Sequence, residues 1–430
     1  MERKFTNQLL EWKNSNARMP LIVTGARQVG KTYSLLEFGK QHYRNVVYLN
    51  FENNQDLQSV FERDLSPTRI IRELSVKSGE TIFENDTLLI FDEIQACERA
   101  LTSLKYFCED APAYHIAAAG SLLGVMLNRQ KFSFPVGKIN KIILYPLDFE
   151  EFLWAFGKRN GAEMIRECFE NNSFFSAHNE FLDLYKTYLL VGGMPFVMSE
   201  YIKKKDFIQV CNLQRTIGDA YIADMVKYAL PTETNKILAA YNSIPAQLAK
   251  ENHKFQYKII KTGARAYEFV NSLDWLQIAG IVRKCVKITE GKFPLDLFAQ
   301  NSSFKIYLSD CGLLASKFNL SPNVVLSDLS DFDHVKGALA ENYVFSALTV
   351  NGYTPFYWES EGKAELDFVI QTHEGQIVPL EVKSSEHNRA RSLMQFAGKY
   401  KPGYSIRVSA KNFGFENGIK SVPLYAAFCI

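Results

Sequence analysis

The sequence predicts an α/β protein that opens with a helix-covered parallel sheet, continues through helical regions and ends in a smaller α/β domain. Three observations predict this. Short apolar runs alternate with helical stretches up to about residue 147, helical periodicity replaces them over 148–248, and strand patterns return after about residue 335. Buried strands that alternate with helices are typical of a parallel sheet covered on both faces.

The length of 430 residues exceeds the usual size of a single hydrophobic core, so we expect several domains. The predicted regions are a parallel-sheet domain (1–150), a helical lid or linker (151–234), a winged-helix-like region (235–330) and a small α/β domain (331–430). A net charge of +2 gives no overall attraction to nucleic acid, so any such contact requires a local basic patch.

The cysteine spacing and the hydropathy indicate the compartment. The seven cysteines are scattered and lack the spacing of a zinc or redox motif. The N-terminus lacks the apolar stretch of a signal peptide, and no run approaches the roughly 18 apolar residues of a membrane span. We therefore expect a cytoplasmic protein without a membrane partner.

The elements of the first domain follow from its apolar runs, which are short and bounded by turn residues. Strands are predicted over 21–24, 45–51, 87–91 and 115–119, and helices over 1–20, 33–38 and 66–78.

An eight-residue segment between the first strand and its helix fits the Walker A phosphate-binding pattern. It consists of Gly25, Ala26, Arg27, Gln28, Val29, Gly30, Lys31 and Thr32. The glycines let backbone amides converge on an anion, and the helix N-terminus adds the positive end of its dipole. Lys31 would contact the β and γ phosphates, and the Thr32 hydroxyl would ligate magnesium. The segment therefore predicts binding of ATP with Mg²⁺.

Two carboxylates end the buried run 88–91, as in a Walker B element. Asp92 would hold magnesium through its water shell, and Glu93 would polarise the water that attacks the γ phosphate. The second acid favours hydrolysis over binding alone. The alternative is an exposed Asp-Glu pair at the start of a loop.

Ser121 follows Gly120 at the end of the next apolar strand. A polar side chain beside the Walker B strand could sense the γ phosphate and assist catalysis. A role as helix N-cap before Leu122 explains the serine equally well, so both interpretations stay open.

These motifs resemble bacterial and archaeal AAA-type P-loop ATPases that carry a C-terminal domain of unassigned function. The resemblance covers nearly the whole chain, in the segments TGARQVGKT (24–32), FDEIQ (91–95), GS (120–121), YPLDFEEF (145–152), GGMP (192–195) and KIYLSDCGLL (305–314). It implies ATP binding and hydrolysis, and a homo-oligomer, because such sites are often completed by a neighbouring subunit.

One departure from the family concerns the arginine finger. The family often has Gly-Arg before the Tyr-Pro-Leu segment, whereas this chain has Gly137-Lys138. Lysine keeps the charge but loses the planar fork that contacts two phosphoryl oxygens. Arg129 and Arg215 are candidate substitutes.

The C-terminal region resembles the PD-(D/E)xK nuclease core. Glu341 lies in a helix, and a strand containing Asp367 is expected to pair with one containing Glu381 and Lys383. Glu381 and Lys383 share one strand face, so Glu341, Asp367 and Glu381 could hold a second divalent metal while Lys383 acts on water. The alternative is a salt-bridged cluster without a metal.

A helix over 265–278 followed by a small hairpin suggests a winged helix. We expect it to bury Phe269, Val270, Leu273 and Leu276 and to turn Ser272 outward. The surrounding basic residues could contact DNA or RNA phosphates, although Glu268 and Asp274 oppose this. They are Lys254, Lys258, Lys261, Arg283, Lys284 and Lys287. A winged helix used for packing between domains is the alternative.

Three hypotheses of function result. The first is an Mg-dependent ATPase whose turnover rearranges the other domains, with nucleic acid as a candidate partner. The second is a nucleotide-gated, metal-dependent nuclease. The third is a binding protein that ATP switches without turnover.

Overall fold

The computed structural model describes residues 1–54, 56–120, 135, 137–250, 254–326, 333–360, 364–384 and 391–430. These residues form two compact units. Unit 1 comprises Met1–Tyr145 with Ile278–Gly280, and unit 2 comprises Pro146–Gln277 with Ile281–Ile430. The division into four regions remains a prediction.

Unit 1 is built on a five-stranded parallel sheet in the order β2-β3-β4-β1-β5. The strands are β1 (Leu21–Thr24), β2 (Asn45–Asn50), β3 (Thr87–Asp92), β4 (His115–Ala119) and β5 (Asn140–Ile143). The predicted parallel sheet is confirmed. The sequence did not indicate β5, because this edge strand has no buried residue and so lacks a continuous apolar run.

In the described part of this unit the sheet is accompanied by the helices α1 (Phe5–Asn14), α2 (Lys31–His42), α3 (Asp56–Glu62), α4 (Pro67–Ser78) and α5 (Glu98–Asp110). Side chains of α3, α4 and α5 join those of β2 and β3 in one core, where Phe51, Phe61 and Phe91 pack edge to face. Because β3 is buried along its whole length, the sheet holds the position of Asp92 at its carboxyl end.

Unit 2 begins with six helices: α6 (Phe149–Ala155), α7 (Arg159–Asn171), α8 (His178–Val191), α9 (Pro195–Lys204), α10 (Phe207–Tyr228) and α11 (Pro231–Leu248). The helical periodicity over 148–248 is thereby confirmed. Asp148 starts α6 with a capping box, because its side chain accepts from Glu151 N at 2.8 Å while the Glu151 carboxylate accepts from Asp148 N.

The break between α8 and α9 is held by Asp310. Its Oδ2 accepts a hydrogen bond from Gly193 N at 2.6 Å, and its Oδ1 accepts one from Leu313 N at 2.8 Å. A β-carbon at Gly193 would lie 2.0 Å from the carbonyl oxygen of Leu147, so only glycine fits there. Burial raises the pKa of the Asp310 carboxyl to about 6.

An eight-stranded sheet completes unit 2, in the order β12-β13-β11-β10-β9-β8-β6-β7. Its strands are β6 (Val282–Ile288), β7 (Ala299–Leu308), β8 (Phe356–Glu359), β9 (Glu365–Gln371), β10 (Ile377–Val382), β11 (Ser405–Ser409), β12 (Gly414–Glu416) and β13 (Ile419–Pro423). The other helices of this part are α12 (Tyr257–Ile260), α13 (Ala266–Ile278), α14 (Cys311–Lys317), α15 (Pro322–Leu326), α16 (Asp333–Val350) and α17 (Arg391–Tyr400).

The hairpin of β6 and β7 belongs to the same sheet as the C-terminal strands. β6 pairs in parallel with β8, so that Val286 lies opposite Phe356. Sequence periodicity assigns this hairpin and these strands to separate regions, because it does not reveal which distant strands pair. The expected antiparallel pairing of the Asp367 and Glu381 strands is confirmed.

The buried face of α13 differs from the expected one. The helix buries Phe269, Ser272, Leu273, Trp275 and Leu276, whereas Val270 is 43% exposed. Because 269, 272, 273 and 276 follow the i, i+3, i+4, i+7 spacing of one helix face, Val270 is rotated away from the core.

The seven cysteines are free thiols, and four of them, Cys97, Cys168, Cys285 and Cys311, are buried. Among the described residues, no helix combines the length and the apolar character that crossing a bilayer requires.

Candidate nucleotide-binding site and C-terminal carboxylate cluster

The Walker A loop connects β1 to α2 through backbone conformations that require glycine. Gly25 has φ +143°, and a β-carbon there would lie 2.1 Å from the carbonyl oxygen of Leu144. Gly30 has φ +91° and immediately precedes α2. Both glycines therefore serve the sharp turn that the motif predicts. The Arg3 guanidinium supports the loop by donating to the carbonyl of Val29 at 3.2 Å.

Lys31 is the first residue of α2, and its side chain folds back over the loop. Its Nζ donates to the carbonyl oxygens of Gly25 at 2.9 Å and Ala26 at 2.8 Å. Only 8% of the residue is exposed. The ammonium group is therefore held within the loop that is expected to bind phosphate.

Thr32 and Asp92 are 60 residues apart in sequence and in direct contact in the structure. The Thr32 hydroxyl donates to Asp92 Oδ2 at 3.0 Å. The contact brings the Walker A hydroxyl to the Walker B carboxylate at the carboxyl edge of the sheet, as the two motifs together predict.

Tyr48 on β2 is a third member of this group, and the sequence analysis did not identify it. Its hydroxyl donates to Asp92 Oδ2 at 2.7 Å and accepts from the Asn50 amide at 3.2 Å. Burial, with a contribution from the Asp92 charge, raises the pKa of Tyr48 to about 12. The sequence carries no signal for this contact, because it depends on the parallel pairing of β2 with β3, in which Asn50 lies opposite Asp92.

Glu93 turns away from the strand in a left-handed conformation, with φ +47°. The Gln95 side-chain amide, in the short 3₁₀ turn Ile94–Ala96, donates to Glu93 Oε2. Because a carboxylate only accepts, the amide nitrogen must face Glu93. Burial raises the pKa of Glu93, and the hydrogen bond from Gln95 opposes this shift. Gln95 Oε1 is buried without a hydrogen-bond partner in the described part of the chain.

The candidates for the γ-phosphate sensor and for the arginine finger lie partly outside the described residues and partly in other contacts. Ser121 and Arg129 lie outside the described residues. Lys138 forms an ion pair with Glu109 at 3.1 Å, and Arg215 donates to Asn319 Oδ1 at 2.9 Å.

The donor set of this site fits magnesium. Mg²⁺ prefers hard oxygen ligands, usually keeps several waters and takes only one or two protein carboxylates beside phosphate oxygens. The Thr32 hydroxyl and the Asp92 carboxylate are oxygen donors of this kind, 3.0 Å apart. Within the described ranges no three His, Cys, Asp or Glu side chains are grouped to hold a metal. A magnesium ion here would therefore depend on the nucleotide for further ligands.

The C-terminal carboxylates surround a lysine that the sequence analysis did not consider. Lys305 on β7 is buried, and its Nζ lies 3.0 Å from Glu341 Oε1 and 2.6 Å from Glu365 Oε1. The Tyr307 hydroxyl donates to the same Oε1 of Glu341. Desolvation opposes charge on Lys305, but the attraction of Glu341 and Glu365 outweighs it and holds its pKa above the ordinary value.

Asp367 and Glu381 lie on the adjacent strands β9 and β10, and Lys383 immediately follows the end of β10. Asp367 Oδ2 accepts from Val382 N at 2.7 Å, and Lys383 forms an ion pair with Glu381 at 3.3 Å. Burial first, and the Glu341 charge second, raise the pKa of Asp367 to about 6. The salt-bridged alternative expects an ion pair of the kind that Lys383 and Glu381 form.

Some of the basic residues around α13 form ion pairs, and others are exposed. Lys284 pairs with Asp274 at 2.8 Å and Lys287 with Glu359 at 2.5 Å, so a carboxylate is already in contact with each of these two ammonium groups. Lys258, Lys261 and Arg265 are exposed on α12 and on the turn that precedes α13.

Comparisons with known proteins agree with the Walker motifs. Residues 17–153 match the family model described as AAA domain, so this part of the chain is similar to AAA domains. Residues 182–324 and 336–427 match two domains of unknown function, DUF8612 and DUF4143. No curated protein matches the chain.

Solved structures with detectable similarity share little sequence with the chain. The Walker-type ATPase PABY2304 of Pyrococcus abyssi is 16% identical over 74% of this chain and 95% of its own, with a TM-score of 0.43. Cdc6p of Pyrobaculum aerophilum is 11% identical over 74% and 92%, with a TM-score of 0.26. The Aeropyrum pernix ORC1 protein, in complex with DNA, is 11% identical over 74% and 91%, with a TM-score of 0.27.

Proposed function

We propose that unit 1 binds ATP with Mg²⁺ and hydrolyses it, and that turnover drives rearrangement of the helical and C-terminal regions. The observation that carries this proposal is the 3.0 Å contact between the Thr32 hydroxyl and Asp92 Oδ2, beside the loop that holds Lys31. The similarity of residues 17–153 to AAA domains supports it.

Each side chain has a distinct task in this reaction. The loop amides and the Lys31 ammonium bind the phosphates, because a buried cation exchanges its bonds to carbonyls for stronger bonds to phosphate oxygens. Thr32 and Asp92 hold the magnesium ion, which neutralises the charge of the transferring phosphoryl group. Glu93 orients the attacking water, and Gln95 fixes the position of the Glu93 carboxylate.

Phosphate release from ATP, measured for the wild type and for Glu93→Gln with magnesium, tests the proposal. We expect Glu93→Gln to abolish turnover and to retain ATP, because the change removes the carboxylate but keeps its volume. A parallel binding titration with a fluorescent ATP analogue separates binding from turnover. Unchanged turnover in Glu93→Gln would reject the assigned role.

The switch without turnover is the runner-up. It predicts tight ATP binding by the wild type and no phosphate release beyond that of Glu93→Gln. The acid that follows Asp92 favours hydrolysis, because burial raises the pKa of Glu93 toward the range useful to a general base.

The nucleotide-gated nuclease requires a metal among Glu341, Asp367 and Glu381. The ammonium group of Lys305 lies against Glu341, and its positive charge disfavours a metal ion at this place. The nuclease hypothesis would be supported if purified protein degraded DNA or RNA with magnesium or manganese and if Asp367→Ala lost this activity.

Nucleic acid is the partner that we propose for the winged-helix-like region. Lys258, Lys261 and Arg265 form an exposed basic turn immediately before α13, and such a turn suits phosphate contacts. Addition of DNA or RNA to the phosphate-release assay tests whether nucleic acid stimulates turnover.

A homo-oligomer is proposed on the basis of the arginine finger. Lys138 already pairs with Glu109, so a neighbouring copy is the proposed source of the cation that contacts the γ phosphate. Sedimentation with and without ATP tests this.

A further inference from the structure

Lys305 belongs to the segment 305–314, which the proposed ATPase function leaves without a role. It lies on β7, in the hairpin that continues into the C-terminal part of the eight-stranded sheet. Its side chain is 1% exposed, yet it carries a charge in contact with two carboxylates, Glu341 and Glu365. A buried charge is costly unless polar or charged groups replace the water around it, so the two carboxylates are what allow Lys305 to be charged here.

The ammonium group is surrounded in the way a bound cation is. Glu341 Oε1 lies 3.0 Å from Nζ, Glu365 Oε1 lies 2.6 Å from it, and the Tyr357 ring centroid lies 5.3 Å from it. Two carboxylates therefore contact the ammonium group directly, and an aromatic face lies within cation–π distance of it. This lysine is coordinated by the protein, as a metal ion would be.

The Glu341 oxygen that faces Lys305 is also saturated with donors. Oε1 accepts from the Lys305 ammonium and from the Tyr307 hydroxyl, which is buried beside it. A divalent cation binds carboxylate oxygen at roughly 2.0–2.6 Å, so a cation that bound Glu341 Oε1 would have to displace both donors. It would also meet the positive charge of Lys305 at close range.

The second lysine of the cluster is engaged as well. Lys383, which would act on water in a metal-dependent nuclease, forms an ion pair with Glu381 at 3.3 Å. Among the residues that the structure describes, no three acidic, His or Cys side chains are grouped to hold a metal.

We propose that the ammonium group of Lys305 occupies the place of the divalent cation in this nuclease-like cluster, so that the cluster binds no metal. The ion pairs instead join β7 to α16 and β9 and thereby hold the hairpin to the C-terminal strands. The fold carries the carboxylates of a nuclease, and an internal cation replaces the catalytic one.

Manganese binding by the full chain, followed by electron paramagnetic resonance without nucleotide, tests this proposal. All variants carry Asp92→Asn, which removes the carboxylate of the nucleotide site. We expect that this parent protein and its Asp367→Asn variant bind Mn²⁺ equally weakly. Lys305→Met should create a site that Asp367→Asn then removes, because methionine retains the volume of lysine without the charge. Lys305→Arg, which keeps the charge, should gain no site.

Two results would overturn the proposal. The first is that the parent protein binds Mn²⁺ and that its Asp367→Asn variant does not. This comparison involves no change at Lys305, so it remains decisive even if Lys305→Met does not fold. The other is a folded Lys305→Met, by circular dichroism, that gains no Mn²⁺. Neither result bears on ATP turnover, which depends on residues of unit 1.

Discussion

Tyr48 and Thr32 donate hydrogen bonds to the same oxygen of Asp92, Oδ2, at 2.7 Å and 3.0 Å. The carboxylate that is proposed to hold magnesium is therefore oriented from two elements, β2 and α2. The Thr32 bond follows from the Walker motifs, whereas the Tyr48 bond is a feature of this chain.

Tyr48→Phe is expected to weaken the binding of magnesium. Loss of a hydrogen bond to a charged group costs about 1.5–3 kcal/mol, so we expect the apparent Mg²⁺ affinity to fall by about tenfold or more. The measurement is a magnesium titration of ATP turnover. Tyr106→Phe, at a partly exposed site on α5, is the control and should match the wild type. An unchanged or tighter magnesium affinity in Tyr48→Phe would show that the phenol does not orient Asp92.

Gln95→Met is expected to lower kcat about tenfold and to leave ATP affinity unchanged. Methionine has a similar volume but cannot donate to Glu93, so the carboxylate loses its position while the phosphate loop is untouched. Steady-state turnover combined with ATP titration makes the comparison. Gln8→Met, on the exposed side of α1, is the matched control. A fall in ATP affinity equal to that in kcat would indicate a general structural defect instead.

Asp310 is expected to make stability depend on pH. Its folded-state pKa, about 6, lies above its ordinary value of 3.8, so the folded protein binds the proton more tightly than the unfolded chain. This contribution is fully present below about pH 4 and is lost as the pH rises through about 6, with a magnitude of roughly 3 kcal/mol at most.

Denaturant unfolding at several pH values between 4 and 7, for the wild type and Asp310→Asn, measures this contribution. The difference between the two free energies of unfolding should change across that window. Asn has a single acceptor oxygen, so the variant also loses one bond to Gly193 or Leu313, and we expect it to be less stable by about 1–3 kcal/mol at pH 4. Asp219→Asn, at an exposed position on α10, should parallel the wild type. A constant difference over the range would contradict the raised pKa.

Lys258→Glu combined with Lys261→Glu is expected to weaken DNA binding and to reduce its salt dependence, because each lysine that contacts a phosphate contributes about one unit to the salt slope. Fluorescence anisotropy at several salt concentrations measures both quantities. Lys40→Glu combined with Lys77→Glu, at exposed positions of α2 and α4, changes the net charge by the same amount elsewhere and serves as the control. Equal losses in both proteins would indicate an effect of net charge alone.

The parts of the site that were predictable are those whose geometry is local. The residues from Gly25 to Thr32 are contiguous, and the strand before them and the helix after them determine the turn, so the motif predicts the loop. Gln95 lies two residues after Glu93 in the segment FDEIQ (91–95), but the contact between the two side chains depends on the left-handed turn at Glu93. Such a turn has no signature in the residue types.

The parts that were missed depend on contacts between distant segments. Tyr48 reaches Asp92 only because β2 and β3 are neighbours, and Lys305 reaches Glu365 only because β6, β7 and β8 form one sheet. Periodicity indicates strands but not their partners. Val270 was misplaced for a different reason, since a helix with several apolar residues permits more than one buried face.

The parallel pairing of β6 with β8 has a consequence for how this protein can be divided. A gene fragment that encodes only residues 331–430 would leave one edge of β8 without its partner, and Glu341 without Lys305. An unpaired strand edge is a template for aggregation. The smallest piece of the C-terminal half that can be inherited or expressed as a module should therefore begin before Val282.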